Sequence, residues 1–130
     1  MKVALLIITH NQIGQELIST ASSILGNNTP PIHSISIPAD LRPADLGGYA
    51  DQIRDTIVDL NSQQKVLILT DIYGATPNNL ARYFTNDLNA VVLSGMNLPM
   101  LLRVLNYAEQ DLDQLVITAI EGAKKGVVQG

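Results

Sequence analysis

The sequence predicts a doubly wound α/β domain, and three observations carry that expectation. Four short apolar runs recur along 130 residues, each is followed by a polar turn and a stretch of helical periodicity, and no composition break divides the chain. Strands alternating with helices imply a parallel sheet covered on both faces, because right-handed crossovers lay each helix over the sheet. A chain of this length buries about two-thirds of its unfolded surface, enough for a real core, so residues 1–130 are expected to form one domain.

The strands are expected at Val3–Ile8, Ile32–Ile37, Val66–Leu69 and Ala90–Leu93, runs rich in Val, Ile and Leu. Between the first two, Ile13, Leu17, Ile18, Ala21, Ile24 and Leu25 share one helical face, and Gly26 stands where a left-handed cap would sit. A second helix carries Leu46, Tyr49, Ala50, Ile53, Ile57 and Leu60, after Pro43 in a first-turn position. The third is expected to begin at Pro77 with Thr76 as N-cap, and the fourth at Pro99 behind Asn97 or Leu98. A fifth runs from about Asp111 to Lys125 and stops at Gly126, which leaves Val127-Val128 as a short edge strand or a tail.

Composition removes several classes of function. With no cysteine, disulfides, thiol nucleophiles and cysteine-ligated metal centres are excluded. The net charge is -4, the bases are scattered apart from Lys124-Lys125, and one Phe with no Trp leaves nothing to stack bases, so no nucleic-acid partner is expected. The N-terminal apolar run is too short to span a bilayer and lacks a secretory cleavage pattern, so a cytoplasmic protein without membrane insertion is expected.

In a doubly wound sheet the crevice lies beyond the carboxyl ends of the strands where the winding reverses, which directs attention to the loops after strands one, three and four. Strand one is followed by Thr9-His10-Asn11-Gln12, strand three by Thr70-Asp71. His10 and Asp71 are therefore expected to face each other across neighbouring strands. A carboxylate on one ring nitrogen fixes the tautomer and supports positive charge, leaving the other nitrogen nucleophilic toward an electrophile such as phosphorus. Gly74 lets the backbone approach an anion, and the helix opening at Thr76-Pro77 turns free amides toward the crevice. The Thr76 hydroxyl is open to two roles here, cap or phosphoryl donor. Ser94-Gly95 supplies a further loop with backbone donors, Met96 and Met100 read as core or wall, and His33 receives no role. Two ligands, His10 and Asp71, fall short of the three protein ligands usual for catalytic zinc, so neither metal nor cofactor is expected.

Three segments together, Ile8-Thr9-His10, Leu69 through Asn78, and Ser94 through Leu101, resemble the mannose-type (mannose/fructose/sorbose) enzyme IIA domain of the bacterial phosphoenolpyruvate-dependent sugar phosphotransferase system. The resemblance implies four parallel strands in the order 2-1-3-4, a C-terminal antiparallel edge strand, and homodimers formed by exchanging that strand. It implies that His10 accepts a phosphoryl group from HPr and passes it to an enzyme IIB. Asp71 would orient His10, Thr76 would bond the phosphoryl group, and Gly74, Ala75, Asn78, Ser94 and Gly95 would form the phosphate-binding loops. The sequence departs from the family pattern in two places: Asn11 replaces the usual glycine after the histidine, and Tyr73-Gly74-Ala75 replaces Phe-Gly-Gly. Without an Ala/Pro-rich linker before residue 130, a separate subunit is expected.

Competing readings differ in partner or in chemistry. A related carrier feeds a dihydroxyacetone kinase with the same chemistry at His10. A receiver-like domain phosphorylated on Asp71 needs acids after strand one to hold Mg²⁺, where this chain has His10 and Asn11. A non-covalent anion-binding module would use the helix-start loops alone.

Overall fold

The computed structural model describes residues 1–26 and 28–130. The chain runs β1 (Val3–His10), α1 (Ile13–Leu25), β2 (His33–Ile37), a 3-10 turn (Pro43–Asp45), α2 (Leu46–Asn61), β3 (Lys65–Thr70), α3 (Thr76–Phe84), β4 (Ala90–Leu93), α4 (Leu98–Asn106) and α5 (Leu112–Lys125). The sheet order is β2-β1-β3-β4, and every pair is parallel, as expected.

Alternation along β1 explains how the two faces are filled. Successive strand side chains point to opposite faces, so Val3, Leu5 and Ile7 join Leu67 and Leu69 beneath α1, α4 and α5. Ala4, Leu6 and Ile8 join Val66, Ile68, Ile35 and Ile37 against Ile53 and Ile57 of α2 and Ala81 of α3. A central strand covered on both faces reads as a continuous apolar run, which is what Val3–Ile8 is.

Helix ends follow local chemistry. Asn97 caps α4, its Oδ1 accepting the Met100 N–H at 2.9 Å, and Asp111 caps α5 by accepting from Gln114 at 3.0 Å. The expected cap at Thr76 is not made. Ala75 holds the extended N-cap conformation, α3 begins at Thr76 itself, and no side chain caps it. Along α1 the buried centre of the face is Gly14 and Ala21, so Ile13 and Ile24, at one margin of the arc, stay exposed.

The C-terminal antiparallel edge strand is not formed among the described residues. Residues 127–130 carry no strand, and Val127 and Val128 are 81% and 77% exposed. A strand needs a neighbour to pair its backbone, and within one chain this tail meets none. Among the described residues no helix is long and apolar enough to cross a membrane.

Candidate active site

The winding reverses between β1 and β3, and there His10 and Asp71 meet. Ile8 is level with Thr70 in the parallel register, so the residues just beyond these ends share the crevice. The His10 backbone N–H donates to Asp71 Oδ2 at 2.9 Å, and His10 Nδ1 lies 2.8 Å from the same oxygen. The Ile72 N–H donates to the other oxygen, Oδ1, at 3.0 Å. Burial pushes the Asp71 carboxyl up, but the bonds from the His10 backbone and ring, with the attraction of that ring, outweigh it and hold the group below its ordinary value of 3.8. An ionised carboxylate only accepts, so Nδ1 carries the proton of the pair, and in the neutral ring Nε2 is the nitrogen that has the lone pair. The ring is 26% exposed, enough for a reagent to reach it while its mount is held.

Neighbouring bonds hold that mount. Thr9, pointing to the α1 face, accepts the Gly14 N–H on its Oγ1 at 2.9 Å and donates to His10 O at 3.2 Å. Asn11 turns the chain at φ 48, in the left-handed region where glycine is the usual occupant and Asn is among the few others accepted. Its N–H donates to Ile37 O at 2.7 Å and its Oδ1 accepts from Ala39 at 2.9 Å. Asn11 thus takes a conformation that glycine adopts readily and adds a tie to the segment after β2.

That segment was not among the loops singled out from sequence, yet it walls the site. A hollow of about 260 Å³ at His10 is lined by Pro38, Ala39, Leu41, Arg42 and Pro43, by Leu46 at the start of α2, and by Thr76. The sheet's alternation explains this: His10 follows Leu6 and Ile8 toward the face packed by α2 and α3, so its neighbours come from those helices' approaches.

Thr76, expected to bond the phosphoryl group, lines the hollow, while the five anticipated phosphate-loop residues, Gly74, Ala75, Asn78, Ser94 and Gly95, do not. Ser94 and Gly95 lead into α4, which packs on the opposite face. Asn78, 2% exposed, works inward: its Nδ2 donates to Thr70 Oγ1 at 3.1 Å and its Oδ1 accepts the Gly74 N–H at 3.3 Å. Gly74, at φ 85, therefore has its N–H engaged inside the loop and its carbonyl bonded by Asn79 at 2.9 Å. These residues shape the loop that sets Asp71 and Thr76. No group of three or more metal-ligating side chains occurs among the described residues.

The family described as the PTS system fructose IIA component, of the EIIA-man type, matches residues 4–120. The mannose-specific EIIAB component of Escherichia coli strain K12 is 29% identical over 130 residues, covering 98% of this chain and 39% of that protein. The fructose-specific EIIA component of Bacillus subtilis strain 168 is 37% identical over 60 residues, 45% of this chain and 41% of that protein. The chain thus spans about two-fifths of the length of these curated relatives. The mannose/sorbose specific IIA subunit from Enterococcus faecalis superposes with a TM-score of 0.87 at 21% identity, over 100% of this chain and 96% of that one, which shows a common fold.

Proposed function

The chain belongs to the EIIA-man family of phosphotransferase-system components, and on that premise we propose that it is a cytoplasmic phosphohistidine carrier, loaded by phospho-HPr at His10 and unloaded by an enzyme IIB. The observation that carries the reading is the contact of Asp71 with His10 Nδ1 at 2.8 Å. With that nitrogen protonated and held, Nε2 attacks the phosphorus presented by the donor. The Nε2–P bond forms as the donor's N–P bond breaks, and the bonding pair returns to the donor's imidazole. Positive charge that develops on the His10 ring is met by the Asp71 carboxylate. Thr76 presents its hydroxyl to the phosphoryl oxygens, a role supported by its place in the His10 hollow and by its not serving as a cap. Transfer to the recipient is the same displacement run in the other direction. The reading includes a homodimer, in which Val127 and Val128 find on a second copy the strand partner they lack here.

Intact-protein mass after incubation with phosphoenolpyruvate, enzyme I and HPr tests it. An acid-labile phosphoryl adduct is expected on the wild type and none on His10→Ala, while Asp71→Asn loads more slowly because its ring is less well fixed. An adduct on His10→Ala, or none on the wild type beside phosphorylated HPr, rejects the carrier.

A further inference from the structure

We propose that Arg42 is the cation that receives the phosphoryl group on His10, exchanging its bond to Asp45 for bonds to the phosphoryl oxygens. The proposal rests on the carrier reading and adds a residue to it. Arg42 and Thr76 line the same hollow as His10, and no other Arg or Lys lines it among the described residues. Its Nε donates to Asp45 Oδ2 at 3.1 Å, three residues along an exposed turn, with the two side chains 80% and 46% exposed. Such a pair is weak and screened, so it is released at little cost. A phosphoryl group brings close to two negative charges and three acceptor oxygens that suit the planar guanidinium fork, against the single charge of Asp45.

The loop that carries Arg42 is held while the side chain is free to move. Leu41 bonds back to Pro38 at 3.2 Å, and Asn11 joins the loop to the residue beside His10 through its 2.9 Å bond to Ala39. Arg42 also borders a second hollow of about 600 Å³, which Asp45 lines, so exchanging Asp45 for the phosphoryl group takes the guanidinium from one hollow it borders to the other. Arg42 then holds the loaded form, lowering the tendency of the phosphoryl group to return to the donor or to water.

The test uses the full chain as wild type, Arg42→Gln, Arg42→Lys and Asp45→Asn, loaded with phosphoenolpyruvate, enzyme I and HPr. The readouts are the equilibrium share of phosphoryl group between HPr and the chain, and the half-life of phospho-His10. Arg42→Gln is expected to shift the share about fivefold toward HPr, with Arg42→Lys in between and Asp45→Asn at least as well loaded as wild type. Loading of Arg42→Gln equal to wild type overturns the proposal and leaves the carrier standing. So does an Asp45→Asn protein that behaves like Arg42→Gln, since Arg42 would then act only by bracing its turn. A wild type that takes no phosphoryl group rejects both.

Discussion

Asp71 links the chemistry to stability at the scale of one residue. Its folded carboxyl sits below its ordinary value of 3.8, so its contribution is present above that pH and is lost as pH falls through the lower folded value. Urea unfolding of wild type and Asp71→Asn should accordingly show a stability gap that is constant near neutrality and closes as the pH falls below about 4. Asn78 provides a second test, because Asn78→Ala takes the acceptor from the Gly74 N–H and a donor from the Thr70 hydroxyl; a loss of about 1–3 kcal/mol is expected by chemical denaturation, with slower loading of His10. His10 and Asp71 were legible in the sequence because they follow two neighbouring strands of one parallel sheet, and position alone brings them together. Arg42 was not, and Asn78 was named from the resemblance for a phosphate-binding role rather than for the inward bonds it makes. Nothing in a sequence says that a polar residue in the first turn of a helix points inward, and Arg42 follows β2, whose loop reaches the crevice only because the alternation of β1 turns His10 toward it.

Elements were read well where an apolar run or a proline marks them and less well at their margins. β4 matches its expected bounds, while β1 continues through His10 because Thr9 and His10 pair with Ser36 and Ile37. Polar residues ending an apolar run conceal such pairing. The crossing of α1 over β1 was equally hidden, although it sets the turn that presents His10. A Cβ at Gly14 would lie 2.7 Å from Ile7 Cγ2 and 3.1 Å from Thr9 Oγ1, both buried. Gly14→Ala should therefore destabilise the fold by about 1–3 kcal/mol through overpacking, and calorimetry should show a lowered Tm despite the better helix former. At α4, Asn97→Ala should cost about 1 kcal/mol, since the Met100 N–H loses its acceptor.

On the scale of the whole molecule, the order β2-β1-β3-β4 was anticipated and the terminal strand was not found. β4 has β3 as its one neighbour, which leaves one row of its backbone groups open to a strand from another chain. For the proposed homodimer, Val127→Asp with Val128→Asp is expected to lower the dimer fraction in sedimentation while leaving the circular dichroism of the chain unchanged, and a wild type that sediments as a monomer rejects the dimer.

The central place of β1 also constrains how the chain is made. Val3 is level with Lys65, sixty-two residues later. At about 5–20 residues per second, a ribosome releases β1 roughly 3–12 s before the strand that completes its pairing. Through that interval the most apolar segment of the protein is a nascent strand with an open flank, the kind of segment that ribosome-associated chaperones shield. β1 thus depends on that shielding, with β2 as its one available neighbour, until β3 arrives and brings Asp71 to His10.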